Sequence, residues 1–181
     1  MQTTSTSPDT STPSVPEPTG TAVALETATF AGGCFWGVED AFRRIPGVVA
    51  TRVGYAGGHT EKPTYRQVCT HTTGHAEAVE VVYDPSRISY EHLVTAFFVD
   101  IHDPTQRQRH VQDAGDQYRS AIFVRDAGQR ETVERVRAHL GGEGRFHRPI
   151  VTEVTDASRF WEAEECHQQY FEKRGGSACR I

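Results

Sequence analysis

The chain has 181 residues, 19 of them basic and 24 acidic, for a net charge of −5, with nine histidines and four cysteines. That length suits one well-cored domain and is short for two. The evenly mixed charge argues against a nucleic-acid surface, which would show a basic excess or stripe, and charges interrupt every apolar run before it could cross a bilayer. The cysteines, at positions 34, 69, 166 and 179, include no Cys-x-x-Cys pair and lack the density of a secreted disulfide scaffold. A cytoplasmic protein, monomeric by default, is expected.

Residues 1–24 are expected to be a disordered tail. Met1 to Gly20 is mostly Ser, Thr and Pro, with Val15 as its aliphatic side chain, too little apolar surface to offset the entropy of ordering. It has neither the basic start nor the apolar stretch of a secretory signal. Residues 25–181 are then one domain. Thr27 to Ala31 reads as a strand that leads into Gly32-Gly33-Cys34 and a helix-like run, Val38 to Ile45. On that run Trp36, Val38, Phe42 and Ile45 share the helical period, and Glu39, Asp40, Arg43 and Arg44 fall on the other side. Pro46-Gly47 stops it. Val48 to Tyr55 is a second strand, closed by Gly57-Gly58, and the polar stretch from His59 through Tyr65 is a loop.

Glu77 to Tyr83 is a third strand, and Ser89 caps a helix reaching about Phe98. Asp100 to Gln117 has no periodicity of its own, and loops of that length are functional or disordered. A strand over Tyr118–Val124, a helix over Gln129–Leu140, a strand over Ile150–Val154 and a helix over Arg159–Lys173 follow. Residues 174–181, with two glycines and Cys179, are expected to be a mobile tail. Strands and helices that alternate in this way favour an α/β (α+β) fold, a two-layer sandwich with a mixed sheet.

Gly33-Cys34-Phe35-Trp36-Gly37 sets one thiol between glycines where a helix begins. The unpaired N–H groups and partial positive charge of a helix N-terminus favour thiolate over thiol, and the two rings offer an apolar seat for a small uncharged group. A lone cysteine is more often a small buried hydrophobe; these neighbours outweigh that reading. Three polar loops, Lys62–Tyr65, Thr73–Glu77 and Asp113–Ser120, supply donors: the Tyr65 and Tyr118 phenols and the Glu77 carboxyl. With Ala78, Val79, Val81 and Val82 behind it, Glu77 would be desolvated, protonated and able to act as a general acid. Each of these residues also has a bland reading: a solvated strand-start glutamate, packing tyrosines, and a turn-forming Asp113. The histidines fall at no zinc-finger or His-Glu-x-x-His spacing, so neither a metal nor a cofactor is expected. No Gly-x-Ser-x-Gly elbow is present either.

From about Thr27 to its end the chain resembles the A-type peptide methionine sulfoxide reductases. The matching stretches are Gly33–Gly37, Gly54-Tyr55-Ala56-Gly57-Gly58, Pro63-Thr64-Tyr65 through Val68-Cys69, Thr73–Glu77, His102-Asp103-Pro104-Thr105, Gln117-Tyr118-Arg119-Ser120, and Ala163-Glu164-Glu165 leading to His167-Gln168-Gln169-Tyr170. So many motifs in order make the resemblance specific. It implies a ferredoxin-like core and reduction of the S-epimer of methionine sulfoxide, in proteins or free. It further implies Cys34 as nucleophile, with Glu77, Tyr65 and Tyr118 bonding and protonating the sulfoxide oxygen, Phe35 and Trp36 holding the S-methyl group, and Asp113 supporting the site. The Cys34 sulfenic acid would condense with Cys179, and thioredoxin would reduce the disulfide. In this reading Cys69 is a buried thiol and Cys166 is structural.

Two departures stand out. Arg109-His110-Val111 replaces the family's usual Arg-Gln-Gly, and the sequence ends two residues after Cys179, which favours a single resolving step. Two other classes compete: a sulfoxide-binding or thiol-sensing protein without turnover, and a cysteine hydrolase with His75 as the base for Cys34.

Overall fold

The computed structural model describes residues 23–106 and 116–175. Its elements are β1 (Glu26–Gly32), α1 (Phe35–Arg43), β2 (Val48–Ala56), α2 (Tyr65–Val68), β3 (Ala76–Tyr83), α3 (Tyr90–Ala96), β4 (Ser120–Val124), α4 (Ala127–Gly142), β5 (Glu153–Asp156), β6 (Trp161–Glu162) and α5 (Tyr170–Lys173). A π-helical turn, Phe97–Ile101, continues α3, and single 3-10 turns occupy Asp116–Tyr118 and Glu165–His167.

The strands form one open sheet in the order β5-β4-β1-β3-β2-β6. Among the described residues only β4 and β5 run parallel; every other neighbouring pair is antiparallel. Its centre, β4-β1-β3-β2, with α1 between β1 and β2 and α3 between β3 and β4, is the ferredoxin-like split βαββαβ arrangement. The expected mixed-sheet α+β fold is therefore present.

Alternation along β3 explains the two faces. Val79, Val81 and Tyr83 point into the helical layer with Phe30, Val53 and Tyr55. There they meet Phe35, Val38 and Phe42 of α1, Leu93 and Val94 of α3, and Val133, Val136 and Leu140 of α4. Phe30 stacks on Phe42 with centroids 4.7 Å apart and lies 5.0 Å from Phe97. On the opposite face Ala31, Ala56, Ala76, Ala78 and Ala121 make a shallow second cluster with Phe123, against which Phe160 packs. Small side chains there let the segment before β6 lie close to the sheet.

Several boundaries differ from expectation. Helix α1 starts three residues before Val38, so the helix begins directly behind Cys34. The strand expected over Ile150–Val154 runs instead over Glu153–Asp156. The loop near Tyr65 contains a one-turn helix with a capping box: Gln67 N–H to Thr64 Oγ1 at 3.3 Å, and Thr64 N–H to Gln67 Oε1 at 2.9 Å.

The largest correction is the helix expected over Arg159–Lys173. That stretch is β6, a 3-10 turn and only one turn of α-helix. Pairing with the free edge of β2 won over helical periodicity: Gly54 faces Glu162 and Tyr55 faces Trp161. The buried Gln168 side chain continues the edge as a peptide group would. Its oxygen accepts the Val53 N–H at 2.9 Å, and its nitrogen donates to the carbonyls of Val53 and Ala163, both at 2.9 Å. Gln169 then adopts φ +50, ψ +44, which breaks any helix across it. Among the described residues no helix is long and apolar enough to cross a membrane.

Candidate active site

Gly33, with φ +102, turns the chain out of β1 in a conformation that favours glycine. Cys34 follows at the N-cap of α1, where its carbonyl accepts the N–H groups of Gly37 at 3.2 Å and Val38 at 3.3 Å. Helices α2, α3 and α4 are capped by their own Thr64, Ser89 and Asp126. Helix α1 has no such side chain. Its first N–H, that of Phe35, is bonded instead to Glu77 Oε2 at 3.0 Å, across 42 residues of sequence. Glu77 is 1% exposed, carried on the first turn-in of β3. One helix end thus holds a half-buried thiol and a buried carboxyl.

The walls are aromatic. Phe35 is buried, and the Tyr65 ring stacks near it at 6.2 Å with an interplanar angle of 22°. Trp36 is half-buried and lies flat on Tyr170, 3.9 Å between centroids at 9°. His167 stands between them, 4.4 Å from Tyr65 and 5.7 Å from Trp36. Burial and the Glu164 carboxylate oppose each other at that imidazole; burial wins and holds it below the ordinary histidine value.

Both expected phenols belong to the electrostatic cluster around Glu77. Burial, then Glu77, then Cys34 and Cys69 push Tyr118 up to about 12, against a smaller lowering by Gln117. Tyr65 is raised further, by burial first and then by Glu77, Cys69 and Tyr118. Both remain hydrogen-bond donors throughout the neutral range. The turn that carries Tyr118 is docked on the loop leading into Glu77. Gln117, 3% exposed, is hydrogen-bonded to the His71 ring, and Arg119 Nη2 donates to the Gly74 carbonyl at 3.1 Å.

His75 supports the same loop and is unavailable as a base. Its Nδ1 accepts the Gly58 N–H at 3.1 Å, and its Nε2 donates to the Thr60 carbonyl at 2.8 Å. A Cβ at Gly58 would lie 2.4 Å from the His75 backbone nitrogen and 2.5 Å from its ring, so only glycine permits this approach. The cysteine-hydrolase alternative therefore lacks its base. Among the described residues no three His, Cys, Asp or Glu side chains gather as ligands for a metal ion.

The structure thus brings together Cys34, Phe35, Trp36, Tyr65, Glu77 and Tyr118. Asp113 and Cys179 lie outside the described residues. Cys69 is half-buried at the end of α2; burial raises its thiol above the ordinary value although the Tyr65 hydroxyl lowers it. Cys166, expected to be structural, is an exposed thiol.

Two carboxylates of the site had no role in the sequence reading. Glu164 accepts the Tyr65 N–H through Oε1 and the Tyr55 hydroxyl through Oε2, both at 2.9 Å. Burial opposes its charge, but these bonds hold it below the usual glutamate value. Glu39, placed by periodicity on the solvent side of α1, is 1% exposed because the C-terminal segment covers it. Its one sequence signal is a glutamate a single helical turn beyond Phe35.

A thiol at a helix N-terminus, a buried carboxyl at the same end, two phenols and an aromatic wall thus lie together on an open ferredoxin-like sheet. The family model described as peptide methionine sulfoxide reductase matches residues 26–181. The "Peptide methionine sulfoxide reductase MsrA" of Geobacter metallireducens is 56% identical over 155 residues, covering 86% of this chain and 95% of that protein. The reduced form of Mxr1 from Saccharomyces cerevisiae superimposes with a TM-score of 0.77 at 32% identity, over 86% of this chain and 89% of that one. Mxr1 in complex with Trx2 does so with a TM-score of 0.58 at 26% identity, over 87% of each chain. The chain belongs to the peptide methionine sulfoxide reductase family, and it is an enzyme that reduces methionine sulfoxide.

Proposed function

We propose that this enzyme reduces the S-epimer of methionine sulfoxide, protein-bound or free, through Cys34, within a single catalytic domain spanning 25–181. The Cys34 thiolate attacks the sulfoxide sulfur while Glu77, with the Tyr65 and Tyr118 hydroxyls, bonds and protonates the oxygen. Phe35 and Trp36 seat the S-methyl group, and Asp113 supports the donors. Oxygen passes to the cysteine: the sulfoxide gains two electrons to become the thioether, and Cys34 becomes a sulfenic acid. The Cys179 thiol then displaces water to give a Cys34–Cys179 disulfide, which the two thiols of thioredoxin reduce. The yeast relative's complex with Trx2 supports that reductant.

The observation that carries this reading is the helix end shared by the Cys34 thiol and the Glu77 carboxyl bound to the Phe35 N–H. A sulfoxide oxygen leaves poorly unless it is protonated, and a hydrolase has no use for an acid so placed. The test is turnover of both epimers with dithiothreitol and with thioredoxin. Wild type is expected to turn over the S-epimer alone, and Cys34→Ser neither. Cys179→Ser is expected to complete one stoichiometric reduction and then stall with thioredoxin. Activity on the R-epimer alone would overturn the stereochemical assignment, and sustained thioredoxin turnover by Cys179→Ser would transfer resolution to Cys69 or Cys166.

A further inference from the structure

Glu39 is a buried titratable group that the chemistry above does not use. It lies on α1 one turn beyond Phe35 and is 1% exposed. Its Oε1 accepts the Thr51 hydroxyl at 2.9 Å, and its Oε2 accepts the backbone N–H of Gln169 at 2.8 Å. Gln169 is not glycine, yet it holds φ +50, ψ +44, a left-handed conformation disfavoured for a residue with a side chain. The carboxylate accepting its N–H supplies a local reason for that conformation. The next residue is Tyr170, whose ring lies 3.9 Å from Trp36 at 9°. Gln169 also starts the single turn of α5, through the Lys173 N–H to Gln169 carbonyl bond at 3.0 Å.

From this juxtaposition we infer that Glu39 is a positioning residue for substrate binding: by holding Gln169 in its left-handed conformation it sets the Tyr170 ring on Trp36 and so fixes one wall of the methyl seat. The inference rests on the reading of Trp36 as part of that seat. Glu39 does not touch the reacting atoms. Its effect belongs on binding of the sulfoxide side chain, with the proton donors around Glu77 unaltered. A glutamine at 39 can keep both contacts, its oxygen on the Gln169 N–H and its amide nitrogen donating to the Thr51 hydroxyl. An alanine or a leucine can keep neither.

The experiment uses the full chain, N-acetyl-methionine-(S)-sulfoxide amide as substrate and dithiothreitol as reductant, with folding checked by a thermal transition above the assay temperature. Glu39→Ala is expected to raise KM about tenfold with kcat within about twofold of wild type, a loss of uniform binding. Glu39→Leu, which fills the vacated volume, is expected to behave the same way and serves where the alanine variant does not fold. Glu39→Gln is expected to restore KM to within about twofold of wild type. An unchanged KM in either apolar variant, equal losses in kcat and kcat/KM, or a glutamine variant no better than the apolar ones overturns the inference. Trp36→Ala separates the two readings. If it raises KM while the Glu39 variants do not, this inference alone falls; if it leaves KM unchanged, the seat falls and the inference with it.

Discussion

The site is built from side chains whose proton affinities are displaced in useful directions. With Tyr118 pushed to about 12 by burial and by Glu77, its hydroxyl stays protonated well beyond neutral pH, so its ionisation cannot shape activity below about pH 10. Tyr118→Phe is accordingly expected to lower kcat/KM by up to about a hundredfold, because one donor to the developing oxygen is lost and Tyr65 remains. The alkaline limb of the pH profile should coincide with that of wild type. A limb that disappears in the variant would show the phenol titrating there and contradict the electrostatics of the cluster. Glu39 supplies a stability test of opposite character. Burial raises its carboxyl above the ordinary value, against lowering by Thr51, Gln169, Arg43 and Lys173. Between the unfolded and folded values the native state then holds more protons than the unfolded state, so wild type loses stability as pH rises through that window. Glu39→Gln carries no such proton. Chemical denaturation at a series of pH values is expected to show Glu39→Gln gaining on wild type from the ordinary glutamate value upward. A gap that stays constant with pH would mean that Glu39 titrates alike in both states.

Among the elements, α1 and β3 depend on each other at the proposed site of chemistry. The other three helices with clear N-caps take them from Thr64, Ser89 and Asp126, and these follow ordinary start signals. Helix α1 starts on a cysteine, and its capping acceptor arrives from β3 through Glu77. Local rules are broken at functional positions and compensated from elsewhere, so the break at Cys34 is itself a signal legible in the sequence. The two-layer, mixed-sheet architecture was legible for a related reason: alternation in β3, the period of α1 and the Pro46-Gly47 stop all agree with the tertiary result, while the ferredoxin-like core was implied by the family resemblance. Glu39 and the stretch 159–173 were not. Periodicity assigns a glutamate to the wet side of a helix unless something covers that side, and the covering segment is the very one misread as a helix. Its true form depends on Gln168 imitating a peptide group against Val53, a tertiary contact with no periodic signature.

For the molecule as a whole, the sheet divides into a deep core and a thinly attached border. Strand β1 is paired on both sides by β3 and β4, and the helical layer covers it. The segment from Trp161 to Lys173 is held to β2 by a two-residue ladder, the Ala163 N–H to Val53 carbonyl bond and the side chains of Gln168, Glu164 and Arg52, and to α1 by the side chains of Glu39 and Arg43. Yet this border supplies His167 and Tyr170 to the aromatic wall. An element with few ladder bonds and many side-chain anchors should open as its own unit, below the free energy of global unfolding. Gln168→Leu tests this, because it leaves the Val53 amide and the carbonyls of Val53 and Ala163 without the partners Gln168 gives them. Each lost partner in a buried setting costs about 1–3 kcal/mol. Native-state hydrogen exchange is therefore expected to accelerate by at least about thirtyfold at the border amides of Ala163, His167 and Lys173, with the β1 and β3 amides keeping their protection. Equal acceleration in β3 would mean that border and core unfold together, and that the aromatic wall is as fixed as the sheet beneath it. Acceleration confined to the border would make the wall the part of the site that opens first, with the Cys34–Glu77 end still closed.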